Sequence, residues 1–281
     1  MAVVLDGKEV ARKIRQNLKE EVSKLKEEGI SPKLAVIMVG DDSASKIYVR
    51  NKSIACNEIG IEYEEYLLNE ETTMDELLSL IDKLNNDKTI NGILLQSPIP
   101  KKLDINEAFK AIDPIKDVDG FNPMNVGKLC LGQDAFISCT PYGVIKILED
   151  YNIEIEGKNA VIIGRSNIVG KPMLQCLLNK NATVTVCHSR TKNLAEITKM
   201  ADILVVAIGK SKFVTKDMVK DGAVVVDVGI NRGEDGKLCG DVDFEGVSKV
   251  ASYITPVPGG VGPMTIAMLM NNIVKATKLQ N

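Results

Sequence analysis

The stretch NAVIIGRSNIVGKP, residues 159–172, decides the fold prediction. Its first five residues are mostly apolar and β-branched, which is typical of a buried strand, and its two glycines predict a tight turn before a helix that opens at Lys171. Helix-like segments separate most of the comparable apolar runs along the chain. Because strands that alternate with helices form parallel sheets, the sequence predicts an α/β fold with a mostly parallel sheet. The comparable runs lie at 34–39, 92–96, 182–187, 202–209 and 223–229.

The segment from Asp113 to Tyr142 interrupts this alternation with Asp-Pro, Asp-Gly, Asn-Pro and Leu-Gly turn signals. We place a domain junction there, followed by a linking helix, and we expect two α/β domains. The chain's last stretch has helix-like apolar spacing, and we expect it to pack back on the first domain. The predicted domains are 1–142, then a Rossmann-like domain at 143–262, and the returning helix at 263–281.

Composition restricts the class of protein. The 281 residues include 35 Lys plus Arg, 38 Asp plus Glu and one His, so the formal net charge is -3. Only 4% of the residues are aromatic and Trp is absent, which argues against a nucleic-acid partner. The six cysteines form no CxxC pair, so we expect no zinc site and no disulfide framework. No signal peptide or membrane span is expected, and a cytoplasmic location is the default.

The turn after residue 163 resembles a dinucleotide-binding loop, in which glycine lets the backbone approach a pyrophosphate and the next helix presents free N–H groups to it. The pattern departs from GxGxxG, because Ser166 stands at the second glycine and Gly170 falls one residue late. An ordinary strand-to-helix turn is the alternative. A P-loop is excluded, because Pro172 stands where Ser or Thr would bind magnesium.

The end of the next strand predicts the cofactor. A NAD site places Asp or Glu on the ribose about 20 residues after the glycine loop, whereas this chain has CHSRT at 187–191. A cation and hydroxyl donors suit a 2′-phosphate, so we predict NADP. A solvated loop is the alternative. The predicted cofactor-binding residues are Gly164, Arg165, Ser166, His188, Ser189, Arg190 and Ile230.

Candidate chemistry begins with SKIYVRNKS, residues 45–53, which has the pattern of a helix. Ser45, Tyr48 and Lys52 then lie on one face, at i, i+3 and i+7. A lysine in an apolar pocket loses its proton readily and serves as a general base, and a tyrosine stacks on a flat ring. A solvated surface pair of Tyr and Lys is the alternative.

Three further motifs contribute candidates. Gln96 ends a buried strand, where open α/β sheets bind ligands. KDVDG at 116–120 places two carboxylates in a turn, and one of them can be functional without the other. The loop TPVPGGVGPMT at 255–265 is rich in Gly and Pro, which suits close backbone approach to a flat ligand, with a plain chain reversal as the alternative.

In this order, YVRNK, QSPIP, KDVDG and PVPGGVGPMT resemble the bifunctional methylenetetrahydrofolate dehydrogenase/methenyltetrahydrofolate cyclohydrolase family, over nearly the whole chain. The resemblance implies a two-domain enzyme, usually a homodimer, with tetrahydrofolate derivatives bound in a cleft between the domains. It implies oxidation of 5,10-methylenetetrahydrofolate by NADP, then hydrolysis of the methenyl product to 10-formyltetrahydrofolate.

The same resemblance implies residue roles. Lys52 would promote proton transfer in the hydrolysis, Gln96 would tune it, Tyr48 would stack on the folate, and Asp119 would bind the pterin ring. Ser45 matches a serine of the family, and Pro258, Gly259 and Gly260 complete the predicted substrate residues. The sole histidine lies in the cofactor segment, so no His-based mechanism is expected near the substrate motifs.

Three alternatives stay open at this point. They are a dehydrogenase without cyclohydrolase activity, a non-catalytic NADP-sensing or protein-binding domain of the same fold, and a shikimate-type dehydrogenase. The first-domain motifs disfavour the first two, and KDVDG with PVPGGVGPMT disfavours the third. We expect no metal and no fused formyltetrahydrofolate synthetase domain.

Overall fold

The computed structural model describes residues 1–233 and 236–281, which fold as two compact units. The first unit consists of Met1–Arg12 and Ser138–Thr265, and the second of Lys13–Ile137 and Ile266–Asn281. The functional domains predicted at 1–142, 143–262 and 263–281 stay a prediction, because compactness does not report which residues bind a ligand.

The elements follow in chain order. The strands are β1 (Val3–Val4), β2 (Lys33–Val39), β3 (Glu62–Leu68), β4 (Gly92–Leu95), β5 (Asn159–Ile163), β6 (Thr183–Cys187), β7 (Ile203–Val206), β8 (Val224–Asp227), β9 (Asn231–Arg232), β10 (Leu238–Cys239) and β11 (Tyr253–Ile254). The helices are α1 (Gly7–Glu27), α2 (Ser43–Ile59), α3 (Met74–Asn86), α4 (Ile105–Ala111), α5 (Pro123–Cys130), α6 (Cys139–Asp150), α7 (Gly170–Leu178), α8 (Leu194–Thr198), α9 (Phe244–Val247) and α10 (Val261–Gln280), with a short 3-10 turn at Lys216–Met218.

The first unit is built on a six-stranded sheet of order β1-β11-β8-β7-β5-β6. All its neighbouring strands run parallel, while β9 and β10 form a separate antiparallel pair. The central strands β7 and β8 are buried at every residue, which explains their apolar sequences up to Asp227, the buried carboxylate that ends β8. Burying one such Val, Leu or Ile contributes about 1.5–3 kcal/mol.

The second unit holds a three-stranded parallel sheet of order β3-β2-β4. β4 begins at Gly92, and this residue is glycine because a Cβ there would lie only 2.7 Å from Val118 Cγ1. The later part of α10 belongs to this unit, where the Asn272 side chain donates hydrogen bonds to the carbonyls of Val118 (2.8 Å) and Ile137 (3.0 Å).

The predicted α/β class with a mostly parallel sheet is confirmed. The prediction missed β3, because its sequence EYEEYLL contains three glutamates and lacks a regular apolar pattern; at the sheet edge none of its residues is fully buried. It also missed β1, which pairs with β11 and thereby joins the N-terminal residues to the unit that contains 138–265.

Candidate active site

The predicted helix around Tyr48 is present as α2. The Asp42 side chain caps its start by accepting from the Ser45 amide at 2.7 Å, and Gly60 ends it in the left-handed region at φ 88°. Ser45 is 2% exposed, and its hydroxyl has no hydrogen-bond partner among the described residues. Tyr48 is 45% exposed. This helix face therefore carries an exposed phenol and a buried hydroxyl that has no hydrogen-bond partner among the described residues.

Lys52, on the same helix, meets the glutamine that follows β4. Its Nζ donates to Gln96 Oε1 at 2.8 Å, and Gln96 Nε2 donates to the Ser97 carbonyl at 2.6 Å. The Gln96 backbone amide donates to the carbonyl of Ile37 on the neighbouring strand at 2.8 Å, so the residue is anchored to the sheet. Because the side-chain amide nitrogen of Gln96 is bonded to Ser97 and its backbone is bonded to Ile37, the side-chain oxygen is held toward the Lys52 amine.

Two ionisable groups on or beside α2 stay protonated at neutral pH. Burial raises the pKa of the Cys56 thiol, one helical turn from Lys52, to about 12. Burial also raises the pKa of the Tyr63 phenol well above its usual range. Neither group can accept a proton at neutral pH.

The KDVDG turn separates its two carboxylates. Asp117 is 2% exposed and accepts from the amides of Gly120 (3.1 Å), Phe121 (3.2 Å) and Asn122 (2.8 Å) and from Asn125 Nδ2 (2.9 Å). Burial raises the pKa of Asp117, and these donors oppose the increase. Asp117 therefore holds the turn.

Asp119, between these bonded positions, is partly exposed. Lys116 is buried and donates to the carbonyls of Leu84 (3.0 Å) and Asp87 (2.7 Å), which fixes the start of the motif. A rigid turn thus presents Asp119.

The Gly-rich loop at 255–265 belongs to the first unit. Gly259 has φ 110°, and a Cβ on Gly260 would lie 2.6 Å from the Pro256 carbonyl oxygen. The loop packs on the start of α1, where the Lys8 amide donates to the Gly259 carbonyl at 3.1 Å. These glycines are therefore required by packing within the chain, a reason that the sequence analysis did not foresee, while Pro258 is exposed.

The turn between β5 and α7 has tight glycine positions. Gly164 has φ 128°, and a Cβ there would lie 2.3 Å from the Ala207 carbonyl oxygen. A Cβ on Gly170 would lie 2.4 Å from the Gly164 carbonyl oxygen. The Gly164 amide donates to the Cys187 carbonyl at 2.9 Å, which places this turn beside the end of β6.

Ser166 explains the departure from GxGxxG. Its hydroxyl accepts from the amides of Val169 (3.1 Å) and Gly170 (3.3 Å), and its carbonyl accepts from the Lys171 amide (3.0 Å). The prediction of free N–H groups at the helix start is therefore wrong for these three amides, because the Ser166 hydroxyl and carbonyl accept the hydrogen bonds that an anion was expected to accept. Residues 165–168 of this turn are exposed to solvent.

The HSRT turn follows β6, beside the glycine turn. The His188 amide donates to Thr191 Oγ1 at 2.8 Å, and the Arg190 amide donates to His188 Nδ1 at 3.1 Å. These bonds fix the backbone and leave the Ser189 and Arg190 side chains exposed. His188 is thereby a turn-forming residue, and the turn offers a hydroxyl and a guanidinium to an anion.

Ile230 follows β8 and is 50% exposed. Two residues near it, Asp227 and Asp241, have buried carboxylates and were not predicted as functional from the sequence. A charged residue that ends an apolar strand, as in AVVVD, was the available signal. In residues 1–233 and 236–281, no group of three His, Cys, Asp or Glu is placed to hold a metal ion, and no helix has the length and apolarity to cross a membrane.

Two family models match the chain. Residues 5–119 match the catalytic domain of tetrahydrofolate dehydrogenase/cyclohydrolase, and residues 138–281 match the NAD(P)-binding domain of the same family. A bifunctional protein FolD of Halalkalibacterium halodurans is 59% identical over 277 residues, covering 99% of both chains.

Solved structures agree with these matches. The bifunctional FolD of Campylobacter jejuni has a TM-score of 0.99 at 54% identity and covers 100% of both chains. The Trypanosoma brucei enzyme, solved with NADP cofactor and an inhibitor, has a TM-score of 0.94 at 38% identity, over 99% of this chain and 98% of its own.

These matches decide against the shikimate-type, monofunctional and non-catalytic alternatives. The chain belongs to the tetrahydrofolate dehydrogenase/cyclohydrolase family, as a bifunctional NADP-dependent oxidoreductase and hydrolase of one-carbon folate metabolism.

Proposed function

We propose that this chain oxidises 5,10-methylenetetrahydrofolate with NADP and hydrolyses the methenyl product to 10-formyltetrahydrofolate, with Lys52 as the proton-transfer residue of the hydrolysis. The observation that supports the role of Lys52 most directly is its 2.8 Å hydrogen bond to Gln96 Oε1. That bond aims the amine from a rigid helix at an oxygen anchored to the sheet.

The oxidation needs no acid or base from the protein. NADP, when bound, supplies the hydride acceptor, and the methylene carbon becomes the methenyl cation without loss of a proton. The protein's task is to hold donor and acceptor close and oriented. The exposed 165–168 turn and the close approach at Gly164 fit a dinucleotide phosphate, with Ile230 beside the same sheet edge.

The hydrolysis requires proton transfer. Water adds to the methenyl carbon and loses one proton to give a carbinol. The bond from that carbon to N5 then breaks as N5 gains a proton, and the carbinol hydroxyl loses its second proton to solvent as the formyl C=O forms. Lys52 accepts the first proton and returns it to N5, while one proton is released overall to solvent. Gln96 Oε1 stabilises the lysine in the stage when it holds the proton.

Folate binding is assigned to the surroundings of this pair. Tyr48 stacks its exposed ring on the substrate. Ser45 lies on the same helix face with its hydroxyl buried and unsatisfied among the described residues, which is a second polar group beside the proposed substrate position. Asp119 accepts hydrogen bonds from the pterin ring, on the turn that Asp117 holds. Pro258, Gly259 and Gly260 form the substrate loop of the first unit.

Selection of NADP over NAD is assigned to Ser189 and Arg190, with Arg165 as a second phosphate partner. All three side chains are exposed, and no carboxylate occupies residues 187–191 to repel a 2′-phosphate. His188 supports them through the turn bond to the Arg190 amide.

We further propose a cytoplasmic homodimer. Family analogy supports the dimer, and six free cysteines suit a reducing compartment. Sedimentation at twice the mass of one chain is the expected result, and a monomer at enzyme-assay concentration would refute the dimer.

Replacing Lys52 tests the assignment of the proton-transfer role. Lys52→Met removes the amine and keeps most of the side-chain stem, so cyclohydrolase activity should fall to the buffer rate while the Kd for NADP stays within twofold. Lys46→Met is the matched control, because Lys46 lies exposed on the same helix and pairs with Asp41. Hydrolysis by Lys52→Met at near the wild-type rate would remove Lys52 from the role.

A further inference from the structure

The first unit contains a fully buried carboxylate that holds three consecutive backbone amides. Asp241 is 0% exposed, and its Oδ2 accepts from the amides of Ile208 (2.7 Å) and Gly209 (3.0 Å). Its Oδ1 accepts from the Lys210 amide (2.7 Å) and from Asn231 Nδ2 (2.9 Å). One side chain thereby fixes the loop that follows β7 and ties it to the residue that begins β9.

A second buried carboxylate holds the first in place. Asp227 ends β8, and its Oδ1 accepts from the amides of Gly229 (2.9 Å) and Asp241 (3.0 Å), while its Oδ2 accepts from the Val242 amide (2.8 Å). Its own amide donates to Thr255 Oγ1 at 2.7 Å. The two carboxylates therefore form one connected network.

Two glycines leave the space that the carboxylates occupy. A Cβ on Gly229 would lie 2.2 Å from Asp241 Cγ, and a Cβ on Gly240 would lie 1.8 Å from Asp227 Oδ2. The sequences DVGIN at 227–231 and GD at 240–241 are thus matched to each other across the fold. Neither glycine can gain a side chain without displacing a carboxylate.

The network lies at the edge of the sheet where the cofactor turn lies. The loop after β7 continues from Ala207, whose carbonyl oxygen is the atom that excludes a Cβ at Gly164. Ile230 lies between Gly229 and Asn231, which are bonded to different carboxylates. Ligands of open parallel sheets bind at this carboxyl edge.

Burying two carboxylates side by side is costly unless every oxygen is hydrogen-bonded. Burial raises the pKa of Asp227 to about 6, with the neighbouring Asp241 charge adding to the increase and three backbone amides opposing it. An apolar pair of similar size would pack without that cost, but it could not hold three consecutive amides in one geometry. The function of the two buried carboxylates is therefore to hold the loop in one geometry.

We propose that Asp241 and Asp227 are positioning residues of the dehydrogenase site, which hold the 208–210 loop and Ile230 in the geometry that binds the nicotinamide cofactor. The proposal rests on the proposed function, because it concerns NADP binding by that enzyme. It separates the two activities, since the Lys52–Gln96 pair of the hydrolysis makes no use of this network. Loss of the network should weaken NADP binding and spare hydrolysis.

The test compares both activities in two variants of the full chain. Asp241→Asn keeps one acceptor oxygen and turns an amide group toward backbone donors, so the KM for NADP should rise at least tenfold. Asn231→Ala removes a single donor to Asp241 and should raise that KM at least threefold. Cyclohydrolase activity on methenyltetrahydrofolate, measured without NADP, should stay within twofold in both. Asp217→Asn, an exposed carboxylate of the same unit, is the control and should change neither quantity.

The proposal is overturned if Asn231→Ala raises the KM for NADP by less than threefold. If Asp241→Asn does not fold, the result for Asn231→Ala decides the test by itself. A parallel loss of both activities also overturns it, because that result indicates general destabilisation. Wild-type turnover reports separately on the function, since a chain that does not reduce NADP refutes the proposed function and not the network.

Discussion

Gln96→Leu is the substitution that isolates the lysine–glutamine pair. It removes the oxygen that accepts from Lys52 Nζ at 2.8 Å and the amide that donates to the Ser97 carbonyl at 2.6 Å, and it keeps a side chain of similar volume. A hydrogen bond to a charged group contributes about 1.5–3 kcal/mol. If that bond stabilises the stage in which the lysine holds the proton, hydrolysis should slow by about 10- to 150-fold.

The oxidation should be nearly unaffected, because hydride transfer moves no proton to or from the protein. The assay follows NADP reduction and methenyltetrahydrofolate hydrolysis separately in the same preparation of the variant. Gln16→Leu, an exposed glutamine of α1, is the control and should leave both rates unchanged. Equal loss of the two activities, or hydrolysis by Gln96→Leu at the wild-type rate, would refute the reasoning.

Three further predictions follow from the remaining contacts. Arg190→Ala or Ser189→Ala should raise the KM for NADP about tenfold and leave the KM for NAD unchanged, because the lost contact is to the 2′-phosphate. Steady-state kinetics with each cofactor measure both values. An equal increase in the KM for NADP and for NAD would contradict this prediction. Asp117→Asn should lower the free energy of unfolding, measured by urea titration, by about 2–5 kcal/mol, because Asn keeps one acceptor oxygen for four donors. The KM for folate should also rise, because the turn that presents Asp119 loosens. A KM for folate that stays at the wild-type value would count against this prediction. The pKa of Asp227 is about 6 in the folded chain and roughly 3.9 when unfolded, so folding favours its protonated form, and its stabilising contribution is full below about pH 4 and lost as the pH rises through about 6. The difference in unfolding free energy between wild type and Asp227→Asn should therefore fall by about 3 kcal/mol from pH 4 to pH 7, and a pH-independent difference would show the sign or the size to be wrong.

Much of the fold was predictable because its central strands are buried at nearly every position. The apolar runs at 34–39, 159–164 and 223–229 give β2, β5 and β8 directly. The edge strand β3 escaped prediction because its three glutamates resemble a solvated segment. Strand β1 escaped because it is two residues long and its partner, β11, lies about 250 residues away in the chain.

The site residues that could be predicted are those that follow from local spacing in the sequence. Ser45, Tyr48 and Lys52 follow from helical periodicity, and Gln96 follows from its place at a strand end. The two carboxylates of KDVDG look alike in sequence, and only burial distinguishes Asp117 from its partly exposed neighbour.

Residues that act through distant backbone could not be found in this way. Asp241 accepts from amides more than 30 positions earlier in the chain, and no local pattern encodes such a bond. Ser166 is different, because its hydroxyl bonds lie within four residues and an N-cap interpretation was available.

A single time course of wild-type enzyme with 5,10-methylenetetrahydrofolate and NADP tests the central claim most directly. Reduced cofactor, methenyl intermediate and 10-formyl product are followed together, with NAD in a parallel reaction. We expect NADP-dependent reduction, followed by hydrolysis of the methenyl species faster than in buffer. Reduction with hydrolysis no faster than in buffer would contradict it, as would the absence of any reduction.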